Sequence, residues 1–458
     1  MRYLPSAIEP SPSLPPSRAS RERSWRSILV CFALVLMLMS IGSQSVVLAD
    51  EESALFDLDD PESIAWLSLT PPSAPLPTKP WNILLYAAAD IGEQAFKPAE
   101  AFAQFVASSE STNVLILEDR YSGTEDDIIC TVRRSSGTTQ IIPLLDLGEA
   151  ETDEPETLER FLRFAQEWFP AVRTLLFMYG HGGGWRGACN DESNGQTRNL
   201  MDSQSNWLTP PEMKAALESV GGVDALMFSA PCVMSSLEAA YELRHVTDLY
   251  VASEEVSGYI FWWTAVGRIA ARLADDPTLG IDELGEHTIN AIRENIQQEL
   301  DTDRWPGVIS DLPNIAAFAT PALGDVATAV DSLAASILAL PLQEQRELIT
   351  KRCSIPQYIS GELVDMPAFA QLCREFPTLS DAADRVVSTY QVALVGQVAS
   401  GSNAHGDAGG MSIFLPNPLS ISCRRFASIY STIGLSFLER TQWWDVIELF
   451  KEVEPAFP

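Results

Sequence analysis

Five short apolar runs, each about one strand long, constrain this chain more than any other feature. They are WNILLYAA (Trp81–Ala88), NVLILE (Asn113–Glu118), TLLFMY (Thr174–Tyr179), DALMF (Asp224–Phe228) and LYVAS (Leu249–Ser253). Runs this continuous have no wet face, so they read as buried strands of a parallel or mostly parallel sheet. The segments between them have helical spacing. Glu156–Trp168 places Leu158, Phe161, Leu162 and Ala165 on one face; Asp153, Pro155 and Thr157 suit its start, and Pro170 ends it. Thr209 before Pro210-Pro211 opens a second helix through Val220, and Ser235–Leu243 reads as a third. The order strand, helix, strand, helix, strand predicts an α/β fold with helices covering the sheet. From about 268 to 400 the pattern becomes mainly helical, as in Asp325–Leu340, and Gly409–Pro416 returns to strand character.

Residues 1–49 read as a signal peptide or membrane anchor. Arg18, Arg21, Arg23 and Arg26 form a basic region, Ile28–Met39 an apolar run, and Ser40–Ala49 a small-residue stretch suited to cleavage near Ala49. The alternative is an uncleaved tether through residues 28–48. Residues 50–79 are acidic, then Pro-rich, and read as a linker. A catalytic core over 80–268 and a helical insertion with C-terminal part over 269–458 complete the expected organisation.

The net charge of −32 opposes nucleic acid or an anionic membrane surface as the main partner. Losing residues 1–49 removes five arginines and two glutamates, which makes the chain more negative still. Of seven cysteines, Cys31 lies in the apolar N-terminal run. Cys130, Cys189, Cys232, Cys353, Cys373 and Cys423 remain, with no CxxC pair to suggest a zinc ribbon or thioredoxin motif. An exported chain could form disulfides, and Cys353 with Cys373 would close a modest loop. No metal motif is present; DLDD at Asp57–Asp60 is too short for an EF-hand. Neither GxSxG nor HExxH occurs, which disfavours a serine hydrolase or a zincin.

Open α/β sheets bind ligands at the carboxyl ends of their strands. Two consecutive predicted strands end there in reactive residues: His181 follows TLLFMYG and Cys232 follows DALMFSAP. The 51 positions between them hold one loop and one crossover helix, so both residues belong on one sheet edge. A thiolate is a nucleophile and an imidazole can take its proton. Cys232 is expected at the entry to a helix, whose free N–H groups would favour the thiolate. The backbone amides of Gly182 and Cys232 could hold an oxyanion. His245 and His287 lie in helical surroundings, and His405 in the polar loop SNAHGDAGG is the competing base. Cys189 reads as a loop cysteine.

With these residues in place, the sequence resembles the clostripain family of cysteine peptidases, within the caspase, gingipain and legumain group. The matching segments are WNILLYAAAD, NVLILEDR, PETLERFLRFAQEWFPA, TLLFMYGHGGGW, FSAPCVMSSLEAAYEL and LYVASEE, with ELVDMPAFAQL and GGMSIFLP further on. They cover residues 80–270 well and 355–420 loosely. The resemblance implies a caspase-like three-layer α/β/α sandwich and a dyad in which His181 is the base and Cys232 the nucleophile. It also implies polypeptide substrates with a basic residue before the scissile bond. Self-processing in the loop Gly187–Asn206, where Arg198 stands, follows from it too, as does a response to calcium without a required cofactor. Two positions depart. The family's Asp two residues before the cysteine is Ala230 here, so Glu254 or Glu255 would have to meet a basic side chain. Further on, Ile260-Phe261-Trp262-Trp263 is a bulky run that either reshapes the groove or packs in the core. Rival readings are a catalytically silent cell-envelope binding module and a cysteine hydrolase or transpeptidase acting on another amide.

Overall fold

The computed structural model describes residues 64–66, 72–89, 97–120, 126–191, 207–257, 262–301, 314–358, 362–398, 408–417 and 421–453. The segment 1–49, Arg198, Ile260, Phe261 and His405 lie outside them.

All five apolar runs are strands: β2 (Lys79–Ala88), β3 (Thr112–Asp119), β6 (Ala171–Tyr179), β7 (Val223–Phe228) and β8 (Thr247–Ser253). They lie side by side and parallel in the order β3-β2-β6-β7-β8. The register aligns Leu115, Leu84, Leu176, Leu226 and Tyr250 in one row across the sheet. This row, with Tyr86, Met178 and Phe228, faces one core, while Ile83, Leu85, Phe177 and Met227 face a second core on the other side. Period-2 alternation along the apolar runs of these strands therefore feeds two cores rather than one.

Helices cover both faces. α2 (Pro155–Trp168) buries Leu158, Phe161, Leu162 and Ala165 against the first core, as the spacing predicts. α3 (Pro210–Ser219) starts on a capping box in which Thr209 and Glu212 satisfy each other's backbone N–H groups, an arrangement that contributes about 1 kcal/mol. α4 (Leu237–Leu243) lies on the same face. α1 (Pro98–Phe105), α5 (Trp263–Asp275) and α6 (Ile281–Asp301) cover the other face. The result is the expected three-layer α/β/α sandwich.

Several strands were not legible in the sequence. β4 (Asp127–Ser135) and β5 (Thr138–Gly148) form a hairpin that extends the sheet antiparallel from β3, with β1 (Ile64–Trp66) on its outer edge. Its turn places Ser136 and Gly137 at positive φ, the backbone a tight hairpin requires. On the other side β9 (Ile315–Ala319) and β12 (Leu394–Val398) extend the sheet beyond β8. Segments far apart in the chain thus join one sheet, ten strands wide among the described residues. Before β2, Leu76 donates its N–H to the Trp168 carbonyl, so part of the Pro-rich stretch runs along this body.

A small antiparallel sheet joins β10 (Gln357–Tyr358), β11 (Leu363–Asp365) and β13 (Ser412–Phe414). It binds directly to α4, where the Phe414 N–H donates to Glu238 Oε1 at 2.7 Å. Within the more helical C-terminal part, α7 (Leu323–Leu338) belongs to the longest apolar helical stretch among the described residues. Leu323, Val326, Val330, Leu333 and Ile337 are buried in the first core. Cys353 and Cys373 are both free thiols, so the expected bridge between them is not formed.

Candidate active site

β2 is flanked by β3 on one side and β6 on the other, so the order of strands along the chain reverses at the β2–β6 boundary. Crevices for ligands form at the carboxyl ends of strands at such a point. The β6 strand ends at Tyr179, and Gly180 (φ +143) turns the chain across the end of β2, where a Cβ would lie 3.1 Å from the Ala88 carbonyl oxygen. His181 follows and is half-buried.

The loop that carries His181 is closed on itself. Cys189 N–H donates to the His181 carbonyl at 3.0 Å, Gly183 N–H to Gly187, and Gly182 bridges Ala188. A short 3₁₀ turn, Gly184–Arg186, carries Trp185 into an aromatic cluster with Phe414 and Tyr430 at centroid distances of 5.0 and 4.9 Å. Arg186 pairs with Glu362 in a buried ion pair and lies over Phe426. Burial pushes the Glu362 carboxyl up to about 7 despite that partner. The loop is thus fastened to the C-terminal part of the chain.

The decisive contact is at Gly182. A Cβ there would lie 2.6 Å from the Cys232 nitrogen and 2.8 Å from the Pro231 carbonyl carbon, and closer still to the Cys232 oxygen. The Cα of Gly182 therefore rests on the Pro231–Cys232 peptide, and only a glycine fits. The His181 loop and the Cys232 loop meet at the ends of adjacent parallel strands, as the 51-residue spacing predicts.

Cys232 is presented on a sharp turn. Ser229 holds the end of β7 to β6 through two hydrogen bonds to the Met178 carbonyl. Pro231 and Val233 on either side are buried, while Cys232 is partly exposed. Val233 has φ +52, and its N–H donates to the Glu255 carbonyl at 3.1 Å. A β-branched residue in the left-handed region costs on the order of 1–3 kcal/mol and persists where the surroundings over-determine it, most often at functional sites. Sequence reasoning missed this strain, because nothing in SAPCVM announces a left-handed valine. The Cys232 Sγ lies 4.0 Å from the Ser257 carbonyl.

One expectation fails. Cys232 is not at a helix entry: α4 begins at Leu237, and the Ser236 hydroxyl accepts the Ala239 N–H as its cap. Ser235 is held earlier still, by its N–H to the Ser253 carbonyl. The loop has to return to β8 and the small sheet before the helix starts, so a helix end does not favour the thiolate.

The other candidates separate clearly. Cys130, Cys189 and Cys373 are fully buried, and burial pushes each thiol well up. His245 is exposed just before β8, at the opposite sheet edge from Cys232. His287 lies on α6 with its ring against the Arg268 carbonyl. Ala230 is buried in the second core, the core that also holds Tyr179, Trp262 and Trp263. Trp262 is wholly buried and donates to the Ser257 hydroxyl, so this part of the aromatic run packs as core.

Glu254 is completely buried. It accepts from Asn314 Nδ2 at 2.7 Å and from the Gly410 N–H at 2.9 Å, and it faces Asp365 and Tyr358. Burial raises its carboxyl well above the usual range, with the Asp365 charge adding to the effect. Glu255 is partly exposed and adjoins the Cys232 turn through its own backbone.

Among the described residues, two groups of carboxylates lie close enough to hold a cation: Asp119, Asp127 and Glu149, and Glu151, Asp153 and Asp191. The first group is supplied with protein donors. Arg120 N–H and Ala150 N–H each take one Asp127 oxygen, and the Thr152 hydroxyl donates to Asp119. In the second group neither oxygen of the buried Asp153 carboxylate has a hydrogen-bond partner. Burial and the neighbouring Asp191 charge push the Asp153 carboxyl up to about 7.

Comparison with known proteins agrees with this architecture. Clostripain of Hathewaya histolytica is 25% identical over an alignment 344 positions long, with 66% of this chain and 64% of that protein covered. A secreted C11 cysteine protease from Bacteroides thetaiotaomicron, solved with an irreversible peptide inhibitor, superposes with a TM-score of 0.58 at 16% identity. The match covers 79% of this chain and 99% of that one. An inactive zymogen C11 protease from Parabacteroides distasonis gives the same TM-score at 17% identity, covering 80% and 99%. At these identities the two structures speak to the fold alone. The model of the clostripain family matches residues 86–450, most of the chain. On the strength of that match, the chain belongs to the clostripain family.

Proposed function

We propose that this chain is an exported cysteine endopeptidase that cuts polypeptides through a thioester intermediate. Cys232 is the nucleophile and His181 the general base. The Gly182 contact carries this reading: it seats the imidazole-bearing loop on the peptide that holds a partly exposed thiol. His181 takes the thiol proton, and Cys232 Sγ bonds to the scissile carbonyl carbon. Backbone amides near Gly182 and Cys232 hold the oxyanion. The C–N bond breaks as His181 returns the proton to the leaving amine. A water molecule, giving its proton to His181, then cleaves the thioester, and the released thiol recovers that proton.

The basic, apolar and small-residue regions within residues 1–49 support export. The test is a peptide-library digest together with labelling by a thiol-reactive peptide probe. The wild type should cut and label, and Cys232→Ala should do neither while keeping its circular dichroism. Turnover retained in Cys232→Ala would refute the mechanism. A wild type that labels no better than its denatured form would instead be a silent binding module.

A further inference from the structure

Resting on the peptidase reading, we propose that Glu254 and Asp365 share one proton and that the protonated pair positions the Cys232 turn. Both carboxyls are completely buried. Both Asp365 oxygens accept main-chain N–H groups, one from Ala368 and one from Gly409. On Glu254 a single oxygen, Oε2, takes both donors, Asn314 Nδ2 at 2.7 Å and the Gly410 N–H at 2.9 Å. Its Oε1 is buried and, as a carboxylate oxygen, has no hydrogen-bond partner. A buried acceptor without a donor is costly, and a second buried carboxylate beside it adds to the cost. One proton on Glu254 Oε1 removes both penalties, because it turns the orphaned oxygen into a donor to the Asp365 carboxylate. Burial and the Asp365 charge favour that protonated form of Glu254. Among the described residues, the titratable groups facing the pair are Tyr358 on β10 and Tyr390 on the helix Ser380–Ala393, with Glu255 acting on Tyr358. All three are acids and bring no positive charge to hold two carboxylates together, so the proton does.

The chain after Cys232 runs between two strips of backbone that this pair joins. On one side the Val233 N–H donates to the Glu255 carbonyl at 3.1 Å, and the Ser235 N–H to the Ser253 carbonyl at 2.9 Å. On the other side the Ser412 N–H donates to the Ser235 carbonyl at 2.8 Å, and the Ser235 hydroxyl donates to the Gly410 carbonyl. Glu254 lies in the first strip, and its bond to the Gly410 N–H ties that strip to the second; Asp365 takes the preceding amide, Gly409. The two strips thus close on Ser235, with Glu254 and Asp365 as the cross-link. Loss of the proton leaves two facing carboxylates, whose repulsion parts the strips and releases the left-handed Val233 beside the nucleophile.

The experiment compares Glu254→Gln with the parent chain. Glutamine keeps the Asn314 and Gly410 bonds on its oxygen and donates to Asp365 through its amide, with no proton to lose. For both chains kcat/KM on one peptide from the library digest is measured from pH 6 to pH 9. The ionisations of His181 and Cys232 are common to both, so the ratio of the two values isolates the pair. That ratio, Glu254→Gln over parent, should rise about tenfold across the range, the effect of about one pH unit of titration. A merely structural Glu254 would give a ratio constant with pH. Hydrogen exchange over residues 229–240 is followed in parallel, in chains carrying Cys232→Ala, so that the result does not depend on turnover. After correction for the intrinsic chemical rate, protection of this segment should fall about tenfold between pH 6 and pH 9 with Glu254 and hold steady with Glu254→Gln. Residues 175–178 of β6 serve as the reference and should change in neither. A constant kcat/KM ratio, or protection that falls equally in both chains, would overturn the shared proton. Should the parent cut no peptide, the peptidase reading fails by itself and the exchange data decide on the pair. Should Glu254→Gln fail to fold, protection independent of pH in the Glu254 chain is enough to overturn it.

Discussion

Replacing Gly182 by alanine tests the central contact with one methyl group. The backbone φ at Gly182 is not in the left-handed region, so the perturbation is purely one of space. The new Cβ would begin 2.6 Å from the Cys232 nitrogen, where ordinary contact starts at 3.4 Å. Relief therefore needs a displacement of about 1 Å between the two loops. The atoms met are backbone on both sides, so no flexible side chain can absorb the movement. Overpacking of this size destabilises by about 1–3 kcal/mol. The larger effect should fall on turnover, because a misplacement of about 1 Å can cost about 10²-fold when it separates groups that must exchange a proton. The assay is kcat/KM on the best peptide from the library digest, with the rate of probe labelling as a second measure. The control is Gly434→Ala: that glycine has φ +83 with open space around it, so the substitution brings backbone strain of about 1–2 kcal/mol and no movement of the site. The expected pattern is comparable stability loss in both variants and a loss of kcat/KM on the order of 10²-fold in Gly182→Ala alone. A Gly182→Ala enzyme within threefold of wild type would refute the claim that this contact sets the dyad.

Two further outcomes are expected. Burial raises Asp365 to about 6 and Glu254 well above the usual range, although backbone donors at Ala368, Gly409 and Gly410 pull the other way. Because both folded values are raised, the stabilisation is complete below about pH 4 and is lost as pH rises through 6 and beyond. The two carboxyls titrate as a pair, so the fall belongs to both together. Urea denaturation at pH 4 and pH 8 should show it, and Glu254→Gln should shrink the difference; greater stability at pH 8 caused by this pair would contradict the burial argument. For specificity, Glu255→Gln should lower kcat/KM for substrates with arginine before the scissile bond by about tenfold while leaving uncharged substrates unchanged; an equal effect on both would remove Glu255 from substrate binding.

The central sheet was legible because the physics that makes it is local. After the polar Thr174 and Asp224 that open them, TLLFMY and DALMF are unbroken apolar runs, and only burial on both faces suits them. The β4–β5 hairpin escaped because its strands mix Thr131, Arg133, Arg134 and Gln140 with apolar residues and its outer part is half wet. No apolar run marks it, and its Ser136-Gly137 turn is a weaker signal than Asn-Gly. β9 and β12 escaped because each pairs with a strand far away in sequence, β9 with β8 and β12 with β9. In the same way ELVDMPAFAQL and GGMSIFLP could be recognised separately, but their joining as β11 and β13 could not.

The site shows the same division between local and distant causes. Which edge His181 and Cys232 share follows from strand order, and that was readable. Which acid faces a substrate does not follow, because Glu254 and Glu255 are neighbours in the chain with opposite fates. Glu254 points inward because Asn314, Gly410, Tyr358 and Asp365 arrive there from three remote segments and enclose it. Glu255 stays at the surface because its backbone carbonyl is the one that holds the strained Val233 turn. With Ala230 buried and Glu254 enclosed, a cationic side chain bound near Cys232 has Glu255 as the partly exposed carboxylate among the three positions the sequence offered. Its binding would then be wetter and more screened by salt than a pair held in a closed pocket. Preference for arginine should accordingly weaken as ionic strength rises, whereas discrimination based on shape would not.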